Sequence, residues 1–139
     1  MEKAKGIDVS HWQGRIDYDK VKSQGYSFVM INAGYGKYIS QKDENFEKNY
    51  AAARKAGLNI GTYWYSYALT EADALAEAKT FLEAVKGKKF EYPLAFDIED
   101  SSHPGIRVDD NLCFRISSPQ RLAHGFNALL RNAVILTTI

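Results

Sequence analysis

The chain is poor in the residues that staple or interrupt a fold. It has one cysteine, so no disulfide framework and no cysteine-cluster metal site can form within it. It has three prolines among 139 residues, and no low-complexity stretch. No run reaches the roughly 18 apolar residues a membrane helix needs. The start, MEKAKGIDVSHW, has lysines but no apolar segment behind them, so a classical secretory signal is not expected. Charge of one sign is also lacking: 18 Lys+Arg stand against 17 Asp+Glu, a formal +1. Whole-chain charge gives no reason to expect nucleic acid. What is abundant is apolar and aromatic: 45% hydrophobic and 13% aromatic, enough for a core without staples.

The composition breaks near residue 100. Residues 1–100 hold all 12 lysines, all 9 tyrosines, all 8 glutamates and both tryptophans; residues 101–139 hold none of these. The later segment instead has four arginines, two of the three prolines and the cysteine, Cys113. Two segments of different character are expected, 1–100 and 101–139.

The first segment repeats one pattern. Apolar, β-rich runs cover Gly6–Val9, Ser27–Ala33, Asn59–Tyr67 and Tyr92–Ile98. Helical stretches lie between them. Asp17–Gln24 is short, Asn45–Ala56 aligns Phe46, Tyr50 and Ala53, and Glu71–Lys86 aligns Leu75, Ala78, Leu82 and Val85. Thr70 is placed to cap the last of these, and Gly25, Gly57 and Gly87 each follow a helical stretch. Alternating strands and helices predict an α/β fold with a parallel sheet. Both an open sheet and part of a (β/α) barrel fit, although an eight-stranded barrel needs at least about 200 residues. In the later segment, Pro119–Asn132 suits a helix and Ala133–Ile139 a strand, while Ser101–Ser118 has no clear period.

Chemistry concentrates at strand ends. Asp97 and Glu99, in Phe96-Asp97-Ile98-Glu99-Asp100, alternate onto one face about 6.6 Å apart. Paired carboxylates raise at least one pKa, and a protonated acid beside an ionised one suits glycoside cleavage. The same two acids would also suit a strand end that caps a helix or faces water, and on the motif alone that reading has the advantage. Asp8, in Gly6-Ile7-Asp8-Val9-Ser10-His11-Trp12-Gln13, ends the first strand. Parallel strands would put it at the same rim; as a turn or cap residue it fits about equally well. Tyr63, Tyr65 and Tyr67 share one strand face and Trp64 takes the other, where core packing explains it. Trp12, Tyr35 and Tyr38 follow the first two strands, and aromatic faces suit sugar rings. His11, His103 and His124 lack metal-ligand spacing, and His11 reads as a local hydrogen-bonding residue. Gly34-Tyr35-Gly36 is no dinucleotide fingerprint, Ser10 has no partner for nucleophilic work, and Lys86-Gly87-Lys88-Lys89 reads as a solvated loop.

Three motifs in order, GIDVSHWQGRIDYDKVKSQGYSFVMINAGYG, YWYSYA and YPLAFDIED, resemble the glycoside hydrolase family 25 muramidases, from about Lys5 to Asp100. The resemblance implies an irregular (β/α) barrel with a groove at the strand C-terminal ends. It implies cleavage of the β-1,4 bond between N-acetylmuramic acid and N-acetylglucosamine in peptidoglycan, outside the cytoplasm, with no metal or cofactor. By motif position Glu99 corresponds to the general acid, Asp97 to the acid that orients the substrate, and Asp8 to a further site carboxylate. Tyr63 and Tyr65 match aromatic positions near the sugar, with Trp12 and Tyr35 as further substrate-binding candidates. The resemblance stops after Asp100, and a chain truncated or frame-shifted there is expected. Such a chain would carry four to five βα units, an incomplete barrel whose unpaired sheet edges favour self-association. A non-catalytic, vestigial carbohydrate-binding fragment is the alternative, and an unrelated α/β domain with a chance Asp-x-Glu is the third. Neither nucleic acid nor a membrane is an expected partner.

Overall fold

A computed structural model describes residues 4–98, 112–116 and 135–136. Strand β1 is Gly6–Val9, β2 Phe28–Tyr35, β3 Asn59–Tyr65 and β4 Leu94–Ile98. Three helices intervene: α1 Tyr18–Ser23, α2 Phe46–Lys55 and α3 Glu71–Ala84. The strands β1 to β4 pair in sequence order and in parallel, so the α/β alternation is borne out. Strands β5 (Leu112–Ile116) and β6 (Ile135–Leu136) extend the sheet, but antiparallel, which corrects an all-parallel expectation. An antiparallel neighbour can follow without the crossover helix that a parallel one requires. Strand β6 falls within the run expected at Ala133–Ile139, and β5 within the stretch that had no clear period. The helix expected at Pro119–Asn132 lies outside the described residues.

The helix-facing side of the sheet is the hydrophobic core. Val9, Val29, Ile31, Ile60, Trp64 and Phe96 are buried there with Phe46, Ala53, Ala78 and Phe81 from the helices. Local signals act as expected. The Thr70 side chain accepts from the Asp73 N–H, and Asp17 does the same for Lys20 at α1. Gly25, Gly57 and Gly87 take φ of 89°, 78° and 76°.

Of the stripe expected on α3, Ala78 and Val85 are buried, but the helix is turned from the expected orientation. Ala74, Glu77, Ala78, Phe81 and Ala84 are buried, whereas Leu75 and Leu82 are only half-buried. The reason is volume. Phe81 stacks on Trp64 at 5.5 Å and meets Phe96 edge-on at 5.9 Å. Against rings of that size, the neighbouring helix positions must be small.

One ion pair ties α2 to the sheet. Arg54 donates to Glu91, whose other oxygen accepts the Ile60 N–H at 3.0 Å. The Arg54 hydrogen bond holds the Glu91 carboxyl below its ordinary value. A depressed carboxyl stabilises the fold above its ordinary pKa and loses that contribution as pH falls through the depressed value. Glu91→Gln is therefore expected to cost about 1 kcal/mol at pH 7. The cost should fade below about pH 4, as urea melts of both proteins across pH would show.

Candidate functional site

Parallel strands present their C-terminal ends together, and there the face opposite the core opens into a groove of about 740 Å³. Asp8 reaches it from β1, Asn32 and Tyr35 from β2, Tyr63 and Tyr65 from β3, and Asp97 from β4; Tyr67, the loop residues His11 and Trp12, and the 40–44 segment with Asp43 also line it. Six of the seven residues singled out from sequence thus meet in one groove. Glu99 lies outside the described residues.

Register explains the meeting. Tyr63 lies beside Asn32 on one side and Ala95 on the other, and Tyr65 lies beside Asp97. Tyr35 needs a further device. Simple alternation along β2 would put it with Val29, Ile31 and Ala33 on the core side. A register shift between Asn32 and Gly34 inserts one residue, so Gly34 pairs Trp64 and Tyr35 pairs Tyr65. The bulge reverses parity and turns Tyr35 into the groove. Gly34 makes it possible: its φ is 150°, and an added Cβ would come within 2.7 Å of the Trp64 ring.

The electrostatics are shared among strands. The Tyr63 hydroxyl donates to Asp8 Oδ1 at 2.8 Å. Burial first, then the charge of Asp8 and the hydrogen bond to it, push the Tyr63 phenol well above its ordinary value; Asn32 opposes this, and the charge of Asp97 adds the least. Tyr63 therefore remains a protonated donor throughout the neutral range. Aromatic contacts continue outward: Tyr65 lies 5.0 Å from Tyr67, which meets Tyr35 edge-on at 5.8 Å.

Some groove residues were not singled out from sequence. Asn32 is one, and a signal existed: it is the lone polar residue in Phe28–Ala33. Buried Glu77, behind the groove and not in its lining, had none. From α3 it accepts the Ser66 hydroxyl and the Tyr67 N–H, the latter at 2.9 Å, and so fixes the segment that carries Tyr67 to the rim. A larger concavity, about 940 Å³, lies against α1 and α2. It holds none of the carboxylate–tyrosine set, so the chemistry points to the groove.

The chain matches the model of the glycosyl hydrolases family 25 over residues 7–125. It belongs to that family. The match passes beyond the compositional break at residue 100. Lysozyme M1 of Streptomyces globisporus is 48% identical over 61 residues, which are 44% of this chain and 20% of that protein. A family 25 glycosyl hydrolase structure from Bacillus anthracis superposes with a TM-score of 0.60 at 28% identity, covering 68% of this chain and 42% of that one. The modular autolysin LytC of Streptococcus pneumoniae, in complex with a synthetic peptidoglycan ligand, gives 0.62 at 26% identity, covering 77% and 26%. The chain thus spans about a fifth to two-fifths of the length of these relatives.

Proposed function

We propose that the groove is the cleft of a muramidase that cleaves the β-1,4 bond between N-acetylmuramic acid and N-acetylglucosamine, acting on cell wall outside the cytoplasm. The observation that carries this reading is the convergence of Asp8 and Asp97, from the first and fourth strands, on one tyrosine-lined groove. The LytC structure with a peptidoglycan ligand supports the substrate class. In the whole domain the strands are read as part of a closed (β/α) barrel.

The roles are those the family resemblance implies. Glu99 donates its proton to the glycosidic oxygen as the bond to the anomeric carbon breaks. The acetamido oxygen of the same sugar attacks that carbon, and Asp97 holds the acetamido N–H and balances the positive charge that develops. Water, deprotonated by the Glu99 carboxylate, then opens the ring so formed. Because the substrate supplies the nucleophile, carboxylate spacing does not predict the stereochemical outcome. Asp8, fixed by the Tyr63 hydrogen bond, is a further charge for the same site. Trp12, Tyr35, Tyr63 and Tyr65 offer ring faces and hydroxyls to the sugars.

The deciding experiment incubates the protein with purified cell walls, reduces the products with borohydride and identifies the new sugar alcohols. Muramitol alone is expected. Glucosaminitol alone would replace the reading with cleavage of the other linkage. Wall binding by folded protein without any new end would favour the non-catalytic carbohydrate-binding alternative.

A further inference from the structure

Trp12 is 82% exposed, yet the residues around it are tied together by hydrogen bonds. It sits in a 3₁₀ turn, His11–Gln13, whose Trp12 N–H donates to Ser10 Oγ at 3.2 Å, while the Ser10 N–H donates to Gln13 Oε1 at 2.6 Å. On the other side stands Asp43, its side chain 2% exposed. One carboxylate oxygen, Oδ2, accepts both the His11 N–H at 3.0 Å and His11 Nδ1 at 2.8 Å. The other accepts the Asn45 N–H at 2.9 Å, and the Asp43 N–H donates to Ala33 of β2. A buried carboxylate is tolerated because these donors satisfy it. Its contact with Nδ1 places the proton on that nitrogen and fixes the ring's orientation. The fixed imidazole lies 4.6 Å from the Trp12 ring, tilted by 37°.

We propose that Asp43 and His11 are positioning residues for the substrate groove. The carboxylate orients the imidazole, and the imidazole backs the Trp12 indole, whose exposed face forms a wall for a pyranose ring. An unsupported indole at this exposure would sample several rotamers, and ordering it on binding costs affinity. The benefit to a glycan rests on the reading of the groove given above; the ordering of Trp12 does not.

The test separates the two. In ¹⁵N-labelled full chain, the two indole N–H signals belong to Trp12 and Trp64, and the latter, bonded to the Gly36 carbonyl, reports the intact fold. The wild-type Trp12 indole should be nearly as ordered as Trp64 by heteronuclear NOE. His11→Ala and Asp43→Asn should loosen Trp12 while Trp64 is unchanged; His11→Phe, a ring without Nδ1, should loosen it too. Against soluble alternating glycan fragments, KM should rise roughly tenfold, the size of one aromatic contact, with kcat changed by less than about twofold. An indole equally ordered in wild type and His11→Ala, or equally mobile in both, overturns the proposal. Ordering that depends on His11 without any glycan binding upholds the positioning and refutes the glycan reading. Should His11→Ala lose the Trp64 signal, His11→Phe and Asp43→Asn decide the matter.

Discussion

Asp97→Asn and Glu99→Gln are each expected to lower kcat for wall hydrolysis by about 10²–10⁴-fold. Both changes keep the shape of the side chain and remove its charge or its proton. At position 97 the lost charge no longer balances the cation developing on the sugar. At position 99 the lost proton leaves the glycosidic oxygen to depart as an alkoxide. The two losses can be told apart. An aryl glycoside with an acidic phenol as leaving group needs no proton, so Glu99→Gln should release a first phenol per site at close to the wild-type rate, while later turnovers stay slow because the variant also lacks the base for the water step. Asp97→Asn should not, because charge on the sugar develops whatever leaves. Turbidity loss of walls and release of the phenol, each measured for both variants, make the comparison. An Asp97→Asn protein that retains more than about a tenth of wild-type kcat would remove Asp97 from the proposed mechanism. The pair acts on one transition state, so the double variant should be little worse than the poorer single one.

The gathering of these residues was legible because parallel strands have a simple consequence. Once Gly6–Val9 and Tyr92–Ile98 are strands of one parallel sheet, Asp8 and Asp97 must face the same rim. Alternation likewise separated Trp64 from Tyr63 and Tyr65, and Trp64 is indeed buried. Local rules failed where a longer-range contact decides. Leu75 and Leu82 follow helical spacing well, but bulky Phe81 and Trp64 stack, and α3 rotates its alanines inward. Tyr35 reaches the groove only through the β2 bulge, whose register depends on β3. Asp43 is one of two acids in Lys42-Asp43-Glu44-Asn45; what sets it apart is its bonding to His11, 32 residues earlier. The antiparallel direction of β5 is set by its pairing with β4, which no periodicity within Leu112–Ile116 encodes.

Trp64→Ala is expected to cost about 3–5 kcal/mol, as large-to-small changes at buried aromatic sites do. Trp64 has no exposed surface, stacks on Phe81, and donates from Nε1 to the Gly36 carbonyl at 2.8 Å. Three losses coincide: the transfer energy of the ring, a cavity beside Gly34, and a carbonyl without its donor. A domain holding about 5–15 kcal/mol in total would have little left. The loss reaches the groove through the backbone, since the Gly36 N–H bonds to the Tyr65 carbonyl and Gly34 is paired with Trp64. Trp64→Phe keeps a ring against Phe81 but not the hydrogen bond, and should cost less than the alanine. Trp12→Ala is the contrast: at 82% exposure it should change stability by no more than about 0.5 kcal/mol. Urea melts of the three variants measure the order. A Trp64→Ala protein within about 1 kcal/mol of wild type would mean that α3 does not rest on this ring, and that the Gly34 bulge is held by something else.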